Sequence, residues 1–150
     1  GAAGTIIAEP SAGLVSPDSL RMFSTPYVKQ IIQAVQDDSF EVILHNCAAK
    51  TDHLDAIYEA AAKGYHFGAT TDMKSALEKA PENIIIAGNL DPAHIFCSND
   101  IQNMKTAVTT LMKTASSHKN FVLSSGCDIP AAAPFASIDA FFAAWKTCIS

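Results

Sequence analysis

The sequence predicts an α/β fold in which parallel strands alternate with helices. Five short apolar runs are each followed by a segment whose apolar residues recur at helical spacing. The runs lack the polar and apolar alternation of a sheet with one face in water, so a parallel sheet covered by helices is expected. Polar residues gather where the runs end. This favours a (β/α) barrel over an open sheet, because that end of a barrel carries the active site.

The first strand and two helices are predicted near the N-terminus. Residues 5–8 form a β-branched run that predicts a buried strand, and the Pro- and Gly-containing segment 9–13 predicts a turn after it. Ser16-Pro17-Asp18 and Ser24-Thr25-Pro26 each place a capping hydroxyl beside a proline that suits the first helical turn. The second of these helices should end near residues 37–39.

Two further strand and helix pairs are predicted in the middle of the chain. Residues 40–44 form the second strand, and a helical pattern then runs from Leu54 to a stop at Gly64. Residues 65–68 predict a weaker third strand, which leads to a helix over residues 73–79.

The last two pairs complete the pattern. Residues 83–87 predict the fourth strand, closed by Gly88-Asn89, and an amphipathic helix follows from about residue 100 to 117. Residues 121–123 predict the fifth strand, and the last helix covers residues 138–148.

Composition narrows the class of protein. The 150 residues are 49% hydrophobic and 17% charged, which is typical of one soluble globular domain. A net charge of -5 with scattered basic residues predicts no nucleic-acid partner. The apolar runs are too short to span a bilayer, so no membrane partner and a cytoplasmic location are expected. Four widely spaced cysteines suggest reduced thiols or metal ligands rather than a disulfide framework.

One set of residues predicts a metal site. His45 and Cys47 are two positions apart, so their side chains point to the same side if the chain is extended there. Cys127 follows the fifth strand at the equivalent place, and in a barrel these loops face a common mouth. One imidazole and two thiolates suit zinc and leave a fourth position for water, a carboxylate or a substrate sulfur. The alternative is that both cysteines are small buried hydrophobic residues and His45 is a hydrogen-bonded strand-end residue.

Other residues of the predicted mouth allow two interpretations each. Asp91 and Asp128 could act in the site, through a hydrogen bond to His45 or as a fourth zinc ligand, or could cap turns before the prolines that follow them. Glu9 has the same ambiguity. His66 could line the mouth or be a hydrogen-bonded core histidine.

Five segments of the chain resemble the uroporphyrinogen decarboxylase superfamily, and within it the methylcobalamin:coenzyme M methyltransferases. The resemblance extends over residues 5–145. The segments are residues 8–12 with Ser16-Pro17, residues 42–47, residues 88–92, residues 126–130, and Pro134 shortly before Ile138. The methyltransferase branch is indicated by His-x-Cys at His45 together with Gly-Cys-x-Ile-Pro around Cys127.

The resemblance implies transfer of a methyl group between a corrinoid, such as methylcobalamin, and a thiol, such as coenzyme M. It implies that His45, Cys47 and Cys127 bind zinc and that the corrinoid is free or carried by a partner protein. We interpret Asp91 and Asp128 as catalytic candidates. The cofactor-binding candidates are Glu9 and Asn89.

The chain is shorter than a complete barrel of this family, and this length bears on what the protein can be. A full TIM-type (β/α) barrel has eight strands and about 250 residues, so residues 1–150 are expected to be the C-terminal part of the barrel, with about five of the eight units, as a fragment or truncated member. Ala48 stands where the family often has glycine.

Open sheet edges in such a partial barrel would favour a homo-oligomer or association with the missing part. The alternatives are a decarboxylase-like tetrapyrrole-binding protein, which the single arginine, Arg21, disfavours, and a non-catalytic remnant that binds a partner chain.

Overall fold

A computed structural model describes residues 1–149 of the chain. Five parallel strands form one sheet in the order of the sequence. The strands are β1 (Gly4–Ala8), β2 (Glu41–Asn46), β3 (Gly64–Phe67), β4 (Ile85–Leu90) and β5 (Phe121–Ser125). The helices are α1 (Pro17–Phe23), α2 (Thr25–Val35), α3 (Leu54–Tyr58), α4 (Met73–Lys79), α5 (Ile101–Thr114) and α6 (Phe135–Ile149). The predicted α/β class is confirmed, as a partial barrel-like fold.

Helices cover one face of the sheet, which we call the helix face. Its side chains pack against α1 to α4 in one hydrophobic cluster and against α5 and α6 in a second. Strand residues of this face are almost fully buried: Val42, Leu44, Tyr65, Phe67 and Ile86. Burial of this apolar area is the main source of stability for the fold.

Within residues 1–149, no helix covers the opposite side of the sheet, which we call the open face. One row across the sheet contains Ile6, Ile43 and Ile85, with Gly64 between the last two. The next row contains His45, His66 and Val122, with Ala87 between the last two. The exposed fractions are 63% for Ile6, 37% for Ile85 and 48% for Val122. Neither hydrophobic cluster of the described residues includes these three side chains. The sheet therefore carries an apolar face that is open to solvent.

Side-chain caps begin three of the helices. An oxygen of Ser16, Asp72 or Asp100 accepts the backbone N–H three residues later at the start of α1, α4 or α5. The prediction that Ser24 caps α2 through its side chain is wrong. Its hydroxyl instead donates a hydrogen bond to the carboxylate of Glu9, which joins α2 to the end of β1.

Three other predictions are corrected by the structure. The first strand is not buried, because β1 is an edge strand with helices on one face only, and Ile6 on its other face is exposed. Helix α3 ends at Tyr58 rather than near Gly64, and Ala61 adopts a left-handed conformation with a φ of 61°. Gly88 and Asn89 do not close the fourth strand; they lie within β4. Over residues 1–149, no helix combines the length and apolar character needed to cross a bilayer.

Candidate metal centre

The C-terminal ends of β2 and β5 bring three metal-ligating side chains together. His45 lies within β2 on the open face, Cys47 directly follows that strand, and Cys127 lies two residues after β5. The candidate ligand atoms of the three all lie within 4.8 Å of one another. His45 is buried and both cysteines are partly buried. Among the residues that the structure describes, this is the one such cluster found.

The distances in this cluster fit a small tetrahedral cation. The imidazole Nε2 atom of His45 lies 2.8 Å from the Sγ atom of Cys47, which lies 3.3 Å from the Sγ atom of Cys127. Zinc bonded at ordinary lengths would hold such atoms about 3.5 to 3.8 Å apart. Shifts of less than about 1 Å would thus admit the ion, and its soft donor set is one that zinc favours.

The Cys47 thiol holds its proton strongly when no cation is bound. Burial raises the pKa of Cys47, and the Cys127 thiol beside it adds to this through a hydrogen bond and electrostatic repulsion, so that the pKa reaches about 11. Two neighbouring thiolates would repel each other at 3.3 Å. A divalent cation between them reverses this balance, so metal binding should release protons.

A second histidine, His66 on β3, contacts the ring of His45. Its Nδ1 atom lies 2.7 Å from the Nδ1 atom of His45, and its Nε2 atom lies 2.7 Å from the carbonyl oxygen of Ser125. Burial lowers the pKa of His66, which favours the neutral ring. The sequence left two interpretations of His66 open, and the structure places it beside the candidate ligands. The register of β2 and β3 explains this, since His45 and His66 are direct neighbours.

The loop after β3 supports the loop that carries Cys47. Gly68 packs so closely against it that a Cβ atom at this position would lie 1.8 Å from the carbonyl oxygen of Cys47. The buried hydroxyl of Thr71 donates a hydrogen bond to the carbonyl of Ala49. Neither residue stands out in the sequence as part of a site, because a glycine or threonine after a strand is also typical of an ordinary turn.

The side chain of Asn89 forms hydrogen bonds to the loop that follows β3. Its amide donates hydrogen bonds to the carbonyl oxygens of Gly68, at 3.1 Å, and Thr71, at 2.7 Å. Asn89 therefore joins β4 to the loop that follows β3. Its assignment as a cofactor-binding residue stays a prediction.

The three predicted carboxylates lie in different surroundings. Glu9 accepts the hydroxyl of Ser24, and its backbone N–H donates to the carbonyl of His45 at 2.9 Å. Asp128 is exposed beside Cys127 and is close enough to act electrostatically on Cys47. The ring of His45 contacts His66 rather than a carboxylate. The roles predicted for Glu9 and Asp128 in binding or catalysis stay predictions.

Asp91 caps the short π-helical turn Pro92–Phe96. One carboxylate oxygen accepts the backbone N–H groups of Ala93 and His94, and the other lies 2.8 Å from Nδ1 of His94. Burial acts to raise the pKa of Asp91, but these hydrogen bonds outweigh it, so the net pKa is lowered and the group is ionised at neutral pH. A catalytic role for Asp91 stays a prediction.

The other two cysteines lie outside the cluster. Cys97 follows the π-helical turn and contacts the carbonyl of Pro92, and Cys148 packs against the second hydrophobic cluster on α6. They provide matched controls for substitutions of the candidate ligands.

Comparison with known proteins identifies relatives along nearly the whole chain. A family model described as "Uroporphyrinogen decarboxylase (URO-D)" matches residues 1–148. The chain is 27% identical over 140 residues to a "Methylcobamide:CoM methyltransferase MtbA" of Methanosarcina acetivorans, which covers 92% of this chain and 40% of that protein. It is 28% identical over 138 residues to a uroporphyrinogen decarboxylase of Prochlorococcus marinus, which covers 91% of this chain and 38% of that protein.

A solved structure shares the fold. A methyltransferase from Methanosarcina mazei superimposes with a TM-score of 0.79 at 22% sequence identity. The match covers 100% of this chain and 43% of the other. The chain thus spans about two fifths of the length of the curated relatives and of the solved structure that it matches.

Proposed function

The chain belongs to the uroporphyrinogen decarboxylase family, and from that premise we propose that it is a zinc-dependent methyltransferase domain acting between a corrinoid and a thiol. One observation carries the proposal: His45, Cys47 and Cys127 direct three zinc-type ligand atoms to within 4.8 Å of one another. Two relatives named methylcobamide:CoM methyltransferase support the choice of methylcobalamin and coenzyme M as the substrates to test.

In this proposal His45, Cys47 and Cys127 would hold zinc and leave a fourth position for the substrate sulfur. Zinc would supply the chemistry that keeps a bound thiol ionised at neutral pH. The surroundings of Cys47 determine the protonation state of its thiol before metal binds. Cys47 carries its proton at neutral pH before metal binds, because its pKa is about 11, and its backbone packs closely against Gly68. The need for reduced thiols fits a cytoplasmic location.

We also propose that the open face is completed by further chain of the same barrel type. The exposed side chains of Ile6, Ile85 and Val122 lie in two adjacent rows across the sheet and would be buried by the remaining strand–helix units. The chain spans about two fifths of its relatives, so the remaining part of a barrel has the size needed to cover this face. Binding of a second copy of this chain is the alternative that a measurement of mass in solution would detect.

The decarboxylase alternative is less well supported by the site. Arg21, the one arginine of the chain, pairs with Glu59 at 2.9 Å and with Asp18 at 3.6 Å on the surface of α1. It therefore lies on a helix rather than at the strand ends. A tetrapyrrole with several carboxylates would meet no guanidinium from this chain at the candidate site.

Thiol binding to the metal tests the first half of the proposal without a corrinoid. Cobalt(II) can replace zinc and reports sulfur ligands through charge-transfer absorption. Adding coenzyme M to the cobalt-loaded chain should increase this absorption, because a third sulfur enters the coordination sphere. Cys97→Ser should behave like the wild type, whereas Cys127→Ser should show weaker absorption at the outset. No change on adding thiol would contradict thiol activation by this site.

Methyl transfer tests the second half. The zinc-loaded full chain is mixed with methylcobalamin and coenzyme M, and S-methylated product is measured by mass spectrometry. We expect product to form faster than in the zinc-free chain or the Cys127→Ser variant. Equal rates in all three samples would contradict the proposed methyltransferase activity, whatever the metal content.

A further inference from the structure

His45 and His66 form a hydrogen-bonded pair of rings beside the candidate ligands. Their ring centroids are 4.6 Å apart, and the two Nδ1 atoms are separated by 2.7 Å. His45 Nδ1 also lies 3.1 Å from the backbone carbonyl oxygen of His66. At the far side of His66, Nε2 lies 2.7 Å from the carbonyl oxygen of Ser125. Each ring thus has one nitrogen within hydrogen-bond distance of a backbone carbonyl.

Carbonyl oxygens only accept hydrogen bonds, and this fixes the protons of both rings. Ser125 requires a hydrogen on Nε2 of His66, and the carbonyl of His66 requires a hydrogen on Nδ1 of His45. Only one hydrogen fits between the two Nδ1 atoms at 2.7 Å, so Nδ1 of His66 must be the acceptor. The Nε2 atom of His45 is left as a bare lone pair. That atom is the one that lies 2.8 Å from Cys47 Sγ, within the ligand cluster.

We propose that His66 is a positioning residue that holds His45 in the metal-binding tautomer and in the ring orientation that points Nε2 at Cys47 and Cys127. The chain of hydrogen bonds runs from His45 through His66 to Ser125, which directly precedes the Gly126-Cys127 segment. It therefore links the ligand on β2 to the end of β5, two residues before the third ligand. Fixing a ligand through its second ring nitrogen typically changes metal affinity by about 10- to 100-fold.

His66 is not itself a fourth ligand in this geometry. Its Nδ1 atom faces the nitrogen of His45 that points away from the cysteines, and its Nε2 atom is bonded to Ser125. The described metal-ligating cluster accordingly contains His45, Cys47 and Cys127 without His66. The inference rests on the proposed zinc site for its function, but the proton positions can be measured without metal.

The first test is the tautomer of each ring in the zinc-free full chain. Two-bond ¹H–¹⁵N correlation spectra distinguish protonated from bare ring nitrogens. We expect His45 protonated at Nδ1 and His66 protonated at Nε2. His45 protonated at Nε2 would overturn the proposal, whether or not the protein binds zinc.

The second test compares zinc affinity in three variants by competition with a chelator of known affinity. His66→Phe keeps a ring and the backbone carbonyl of residue 66 but removes the Nδ1 acceptor that orients the ring of His45, and we expect about 10- to 100-fold weaker zinc binding. His66→Gln can accept from His45 and donate to Ser125, so it should restore most of the affinity. His118 precedes the N-terminal end of β5, away from the site, so His118→Gln should bind zinc with the affinity of the wild type. Thermal unfolding of each variant reports any loss of folding.

The outcomes separate this inference from the zinc proposal. Zinc binding by the wild type with unchanged affinity in folded His66→Phe would overturn the positioning role and leave the zinc site intact. Equal losses in the phenylalanine and glutamine variants would also overturn it, because the loss would then not follow the acceptor. No zinc binding by the wild type would sink the proposed function, and the tautomer measurement would still decide the proton arrangement.

Discussion

The two faces of the sheet carry similar apolar strand residues, but helices cover one face and the other is open to solvent. Ile85 and Ile86 are neighbours on β4, yet Ile86 is 0% exposed under the helices and Ile85 is 37% exposed on the open face. The helix face contains the two hydrophobic clusters, whereas the open face carries the candidate metal centre at the ends of its strands. The comparison indicates that the fold is held mainly from one side, while the chemistry lies on the other.

The site does not depend on the open face being covered. His45 bonds to His66, and the loop of Cys47 is fixed by Gly68 and Thr71. These contacts join neighbouring strands and their loops, all within one sheet. The ligand geometry can therefore form in this chain, even though the apolar side chains behind it are exposed.

The largest expected difference is between alanine substitutions of the two isoleucines. Ile86→Ala removes buried methyl groups beneath the helices and should lower the free energy of unfolding by about 2 to 5 kcal/mol. Ile85→Ala is the matched control on the same strand and should cost less than about 1 kcal/mol, because its side chain is already partly in water. Urea denaturation measures both. Similar losses would mean that the open face is covered in solution.

A smaller effect is expected from crowding the loop that holds Cys47. Gly68→Ala places a methyl group against the backbone of Cys47 and should cost about 1 to 3 kcal/mol of stability and weaken zinc binding. Gly64→Ala is the control, since its added Cβ would approach the side chain of Ile43 at 3.2 Å and would meet Ile85 only at ordinary contact distances of 3.6 and 3.7 Å. Denaturation and chelator competition measure the two effects. Unchanged zinc affinity in Gly68→Ala would show that the loop position does not matter for the site.

The smallest effect is a pH dependence on the helix face. Burial raises the pKa of Tyr65 to about 12 and raises that of Tyr58 as well. The unfolded chain releases these protons first, at its ordinary tyrosine pKa near 10, so stability is fully present below about pH 10 and falls as the pH rises toward 12. At pH 10.5 the loss should be below about 1 kcal/mol per tyrosine.

Urea denaturation of the metal-free chain between pH 9 and pH 10.5 measures this loss. Tyr65→Phe should flatten the decline, because the substituted side chain has no proton to release. An identical slope in the wild type and the variant would contradict the assignment.

The sequence predicted the features that depend on the order of elements along the chain. Residues that follow parallel strands meet at one end of the sheet, so His45, Cys47 and Cys127 could be grouped across 80 intervening positions. The α4 bounds were also predicted, because Asp72 gives a clear capping signal. What these predictions share is that local chemistry or strand order alone decides them.

Features that depend on what packs against a strand were not predictable. Ile6 and Ile86 look alike in the sequence, since a continuous apolar run indicates burial on both faces whether or not the second cover is present. The contact of His66 with His45 depends on the register between β2 and β3, which the sequence does not encode locally. The strand was predicted to end before Asn89, because a glycine such as Gly88 is typical of a strand end. In the structure both residues lie within β4.

The most direct test of the central claim is the zinc content of reduced, folded protein that was purified without added metal. Elemental analysis should find about one zinc per chain in the wild type and in Cys148→Ser, and almost none in Cys47→Ser and Cys127→Ser. That result would establish a shared site at the end of the sheet. Wild-type protein without zinc, or variants that retain it, would contradict the claim that His45, Cys47 and Cys127 form a zinc centre.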